Sequence, residues 1–169
     1  MSKQFAVIIM GSDSDLPLVE NTLKVLKGFD IQYEVRVASA HRTPDVVSSY
    51  VADAEARGAA VFICAAGLAA HLAGAVAART TRPVIGIPVD GGPLNGVDAL
   101  YSTVMMPGGI PVATVAVGKA GAKNAGYLAA QIMALVDADL DARVKADRQA
   151  AAQEVKAKDA ALQEKLKSL

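Results

Sequence analysis

Three short clusters in this chain combine small residues with groups able to exchange protons or hold an anion. Gly11-Ser12-Asp13-Ser14-Asp15 follows the apolar run Phe5–Met10, and Ala38-Ser39-Ala40-His41-Arg42-Thr43-Pro44 follows the β-rich run Ile31–Val37. Ala65-Ala66-Gly67-Leu68-Ala69-Ala70-His71-Leu72 completes the set after a third apolar run. His41 is of the side-chain type that most often serves as an acid/base group. Beside it, Arg42 offers a planar fork of donors matched to a phosphate or carboxylate. Ser12 and Ser14 supply hydroxyl donors, while Asp15 accepts hydrogen bonds and suits a sugar diol better than a phosphate. The first cluster has a simpler use as well, with Ser14 or Asp15 capping a helix that has Pro17 in its first turn.

His71 is the one polar residue between Ala65 and Ala78. Such small side chains let backbone pack closely around a planar ligand or a small gas molecule, in a pocket from which water is excluded. A buried histidine bonded to a carbonyl is the competing reading of the same stretch. No metal is expected, because two loop histidines without a nearby carboxylate pair do not provide three ligands. Neither a Walker loop nor Gly-x-Gly-x-x-Gly is present. The Gly/Pro-dense segments 91–96 and 105–111 read as further crevice loops or subunit contacts. Lys119 reads as either a ligand contact or a solvated charge.

The elements that must position these clusters alternate along the chain. Strands are expected at Phe5–Met10, Ile31–Val37, Ala60–Ala65, Val84–Val89 and Val112–Val117, where apolar runs end in turn residues. Helices are expected from Pro17 to Lys27, Pro44 to Arg57, Ala69 to Arg79, Val97 to Met105 and Ala120 to Val136. Strand–helix alternation with short connections is the pattern of a doubly wound α/β sheet. Five strands fit a flavodoxin-like three-layer sandwich with a parallel sheet in the order 2-1-3-4-5, the order itself being analogy. In such sheets, the loops after the strands share one crevice, which is where all three clusters fall.

The chain has 169 residues, 17 basic and 17 acidic, so its net charge is zero. That balance argues against nucleic acid as a partner, since phosphate-backbone binding needs a basic surface. Cys64, the single cysteine, lies in an apolar run and reads as a buried, inert thiol. The chain shows no signal peptide and no membrane span, so the expected address is the cytoplasm.

Residues 1–137 are expected to form the catalytic domain and 138–169 a C-terminal helical extension. From Asp137 onward Gly and Pro vanish. There Leu140, Ala151 and Leu162 recur at eleven-residue spacing, as do Val144, Val155 and Leu166. This period is close to that of a straight α-helix. The extension is expected to continue the preceding helix or restart after a kink, and to lay its thin stripe on a neighbouring subunit.

Taken in order, five segments resemble the N5-carboxyaminoimidazole ribonucleotide mutase family of de novo purine synthesis. They are Gly11-Ser12-x-Ser14-Asp15, Ser39-Ala40-His41-Arg42-Thr43-Pro44, Ala69-Ala70-His71-Leu72, Gly96-Val97-Asp98-Ala99-Leu100-Tyr101-Ser102 and Gly118-Lys119-Ala120-Gly121-Ala122-x-Asn124-Ala125. The similarity runs from Val7 to about Leu135, leaving the tail after about Arg148 outside it. It implies a homo-octamer whose subunits share their sites, and a reaction on a small-molecule ribonucleotide without metal, biotin, ATP or other cofactor. It further implies that Ser12, Asp15 and Arg42 bind the ribonucleotide with Ser14 and Ser39 close by. His41 would be the acid/base, and His71 with Ala66, Gly67 and Leu72 would line the base and carboxylate pocket.

Leu16 stands where that family often has Trp, and Ala73 where Pro is usual. The loop Gly91-Gly92-Pro93-Leu94-Asn95 also departs from the expected Ser/Ala-rich segment. A related carboxylase branch, which fixes free CO2, shares the first cluster but carries Lys at the position of Arg42 and lacks Ala-Ala-His-Leu. Both features here favour the mutase. From a different class, a non-catalytic nucleotide-binding protein on the same fold is the remaining alternative.

Overall fold

The computed structural model describes residues 4–167. The expected extension's last two residues lie outside them. Five parallel strands form one sheet in the order β2-β1-β3-β4-β5. They are β1 (Phe5–Met10), β2 (Tyr33–Val37), β3 (Ala59–Ala66), β4 (Val84–Pro88) and β5 (Ala113–Thr114). Between and after them run α1 (Leu16–Gly28), α2 (Pro44–Arg57), α3 (Leu72–Ala77), α4 (Val97–Val104), α5 (Gly118–Ala134) and α6 (Ala138–Leu166).

The two-residue period of a strand divides the core between the sheet faces. Ala6, Ile8 and Met10 of β1 face one way with Ile63, Ala65, Ile85 and Ile87, packing against Val19 and Leu26 of α1 and Ala122, Ala125 and Ala129 of α5. Phe5, Val7 and Ile9 face the other way with Phe62 and Cys64, against Val47, Val51 and Ala54 of α2 and Leu72, Ala73 and Val76 of α3. Fully buried, Cys64 has its thiol pushed well above the usual range by desolvation, as expected of an inert residue. Between α1 and α5, the buried Thr22 Oγ1 donates to the Ala122 carbonyl at 2.6 Å.

Most boundaries shift by a residue or two, and three of the shifts have a clear local reason. β5 is two residues long instead of running through Val112–Val117. After Thr114 the chain turns into α5, where Gly121 lets the Ala116 carbonyl press on the helix. A β-carbon there would sit 1.5 Å from that oxygen. α3 spans Leu72–Ala77, not Ala69–Arg79, because the His71 amide donates to the Ala69 carbonyl at 2.8 Å in a tight turn no helix contains. α5 ends at Ala134, two residues early, and a new helix restarts at Asp137. There the Asp137 carboxylate accepts from the Leu140 amide at 2.9 Å.

The restarted α6 is anchored only at its beginning. Leu140 is buried, Val144 packs on the core beside α5, and the Tyr127 hydroxyl donates to Asp147 at 3.0 Å. Beyond that point Val155, Leu162 and Leu166 are exposed. Pairs such as Lys145–Asp141 and Lys158–Glu154, one turn apart, support the outer helix. Among the described residues, no helix is long and apolar enough to cross a membrane.

Candidate active site

The loops after β1, β2, β3 and β4 enclose a cleft of about 490 Å³ at the carboxyl edge of the sheet. That volume suits a ligand of nucleotide size. All ten site residues expected from the sequence line it: Ser12, Ser14, Asp15, Ser39, His41, Arg42, Ala66, Gly67, His71 and Leu72. Lys119 lies elsewhere, in a hollow between α1 and α5 with Lys24, Lys123 and Tyr127.

Each loop is ordered by its own small hydroxyls. After β1, Ser12 rather than Ser14 or Asp15 is the capping residue. Its Oγ accepts from the Ser14 amide at 3.3 Å and from the Ser14 hydroxyl at 2.8 Å, capping a 3-10 turn over Asp13–Asp15. Asp15 makes no side-chain cap to α1 and is left facing the cleft. Burial raises its carboxyl above the ordinary value, an effect opposed by the Ser12 backbone, reinforced by the charge of Asp13 and opposed by the Ser14 hydroxyl. A carboxylate so placed gains by accepting hydrogen bonds from a ligand.

After β2, Ser39 holds the loop together. Its Oγ accepts from the His41 amide at 3.3 Å and the Arg42 amide at 3.2 Å, while its own amide donates to Thr43 Oγ1 at 2.9 Å. The turn thereby presents His41 and Arg42 side by side, both exposed, before Pro44 opens α2.

The third loop delivers His71 to the same place. Its Nδ1 lies 2.8 Å from His41 Nε2, and the two rings meet edge to face at 80°. His71 is exposed at the cleft and bonded to a histidine, so the reading of a buried histidine held by a carbonyl is set aside. The enclosed, dry pocket expected around it is not complete within one chain, since His41, Arg42 and His71 all face open space. One proton-exchanging pair, a guanidinium and a diol acceptor thus surround one cleft, an arrangement able to hold a phosphorylated sugar and protonate an atom of its base.

Gly91 and Gly92, in a segment read as a crevice loop or subunit contact, also line the cleft, whereas Ala40, Leu68, Ala69 and Val89 were not singled out as site residues by the sequence reading. Leu68 adopts φ +54° and Gly92 φ +83°. The doubled glycine signalled an unusual turn at 91–92, but nothing in the sequence marks a leucine as left-handed.

Residues 6–166 match the AIR carboxylase family. The chain belongs to it. The match extends past Arg148, where the resemblance was expected to stop, so the extension lies within the family's span. The N5-carboxyaminoimidazole ribonucleotide mutase of Bacillus subtilis is 54% identical over 133 residues, covering 79% of this chain and 82% of that protein. The protein of the same name from Mycobacterium tuberculosis strain H37Rv is 52% identical over 156 residues, 92% of this chain and 88% of that protein. Among solved structures, Treponema denticola PurE superposes with a TM-score of 0.85 at 34% identity, covering 93% of this chain and 97% of that one.

Proposed function

We propose that this protein interconverts N5-carboxyaminoimidazole ribonucleotide and 4-carboxy-5-aminoimidazole ribonucleotide as a mutase of purine synthesis. The observation that carries this reading is the His41–His71 pair, 2.8 Å apart in a cleft that also holds Arg42 and Asp15. Relatives named for this reaction, about half identical to the chain, support it.

In this mechanism Arg42 and Ser12 hold the phosphate and Asp15 accepts from the ribose diol, with Ser14 and Ser39 shaping the loops beneath. His41 delivers its proton to the exocyclic nitrogen as the carbamate C–N bond breaks, releasing CO2. The enamine-like ring then attacks CO2 through C4, forming the new C–C bond. His41, now a base, removes the C4 proton and restores aromaticity. The proton taken at the end equals the proton given at the start, so no cofactor or external acid is consumed. His71 holds His41 through the ring–ring bond, and Ala66, Gly67 and Leu72 line the space for the base and carboxylate.

The open side of the cleft and the exposed Val155, Leu162 and Leu166 of α6 fit an assembly in which neighbouring subunits complete each site, a homo-octamer in this reading. Deleting residues 152–169 keeps the Leu140, Val144 and Asp147 anchors, yet is expected to lower the assembled mass. An unchanged assembly would show that the extension docks on nothing.

The test of function is an absorbance assay with N5-carboxyaminoimidazole ribonucleotide, without ATP or bicarbonate, beside one with aminoimidazole ribonucleotide and high bicarbonate. Rapid product in the first alone is expected. Product only in the second makes the protein a carboxylase using free CO2. Silence in both, with folded protein, leaves a nucleotide-binding role.

A further inference from the structure

Leu68 holds a backbone conformation that disfavours its own side chain. At φ +54° its β-carbon crowds the neighbouring backbone, the reason this region belongs mainly to glycine. Burial does not hold it there, because the side chain is 56% exposed. It lies instead against the opposite rim of the cleft. A β-carbon on Gly92, already strained at φ +83°, would come within 2.6 Å of Leu68 Cδ2 and push the end of the leucine aside. Beneath this contact the two loops are already joined: the Val89 amide donates to the Ala66 carbonyl at 3.0 Å. Of the larger apolar side chains lining the cleft, Leu72 and Val89 are buried and Leu68 is exposed. Strain kept at an exposed position facing a ligand marks a functional demand rather than a packing one.

We propose that Leu68, seated over Gly92, is the latch that closes the cleft above the reacting carbon and retains CO2 between C–N cleavage and C–C formation. The inference rests on the mutase reading. Once the carbamate bond breaks, the carbon to be transferred is a small uncharged molecule that offers no ion pair to the protein. Only an apolar wall that excludes water and blocks the exit keeps it beside C4. Leu68 supplies that wall and, by bridging the loops after β3 and β4, holds the glycine-rich segment 91–96 in place.

The experiment measures how single-turnover N5-carboxyaminoimidazole ribonucleotide partitions between 4-carboxy product and free aminoimidazole ribonucleotide, corrected for spontaneous loss of CO2. The wild-type chain is expected to give almost entirely 4-carboxy product. Leu68→Ala is expected to raise the free fraction roughly tenfold, the change produced by losing about 1.4 kcal/mol of barrier to escape. Gly92→Ala, which removes no cleft atom but pushes Leu68 away, is expected to leak as much, and the double variant no more than either. A merely structural loss slows the reaction without changing this ratio, because inactive molecules contribute to neither product. Wild-type partition in both single variants overturns the latch while leaving the mutase reading intact. A wild-type chain inert toward this substrate overturns both.

Discussion

His41 Nε2 and His71 Nδ1 lie 2.8 Å apart although thirty positions of sequence separate them. One of these nitrogens must carry a hydrogen and the other must not, so the bond ties the tautomer of each ring to that of its partner. A proton given up or taken by His41 is therefore felt at His71.

Replacing the rings separately tests this coupling. His41→Asn is expected to lower kcat by at least about 100-fold, the usual floor for removing an acid/base group. His71→Asn loses only the bond that orients the acid, a loss of roughly tenfold. The double variant should be no slower than His41→Asn alone, since residues acting as one unit are not additive. Steady-state absorbance assays decide it, and fully multiplicative losses would mean independent roles.

Asp15 sets stability against binding. Its carboxyl is raised in the fold, chiefly by burial, so between the ordinary value of 3.8 and the raised one the folded state binds more protons than the unfolded. Stability therefore declines as pH rises through that window. Asp15→Asn is expected to raise Tm at neutral pH, with the gain vanishing below the ordinary carboxylate value. The same change should raise KM about tenfold through a lost charge-assisted bond to substrate. A variant no more heat-stable than the parent would contradict the burial argument.

Glu34 behaves in the opposite sense. The Arg57 guanidinium, against residual burial and with help from the Tyr50 hydroxyl at 2.8 Å, holds its carboxyl at about 2. Stability from this pair is present above 4.5 and lost as pH falls toward about 2. Both partners are more than a third exposed, so solvent screening keeps the contribution small. Urea titrations of Glu34→Gln should show a small deficit at neutral pH that disappears in acid. A deficit independent of pH would assign the effect to packing.

Thr22 is a structural control. Thr22→Val preserves shape but removes the 2.6 Å bond to the Ala122 carbonyl, which keeps its place in the α5 ladder, a cost of about 1 kcal/mol. The urea midpoint is expected to fall with unchanged slope, and KM to stay at the parent value. An altered KM would show that the α1–α5 contact reaches the cleft.

Much of this architecture is written locally. The apolar runs of β1, β3 and β4 end in turn residues because each strand is buried on both faces, and that pattern survives translation into sequence. Ser12, Asp15, His41, Arg42 and His71 were recognisable for a related reason. Side chains of their chemistry just after sheet strands have few structural uses, and a doubly wound sheet gathers such loops at one edge. Backbone contacts that no side-chain pattern records decided the rest: the early end of β5 goes with the Ala116 carbonyl against Gly121, and the start of α3 with the turn at Ala69–His71.

The sequence by itself determined the strand and helix alternation, the sheet's two buried faces and the chemistry of the residues at its edge. These follow from periodicity and side-chain type, which act over a few neighbouring residues. Only the tertiary structure decided that the two imidazoles share a hydrogen bond and that Leu68 leans across to Gly92. Each of those is a distance or direction set by how separate loops meet, and no local pattern encodes where a loop's partner will lie.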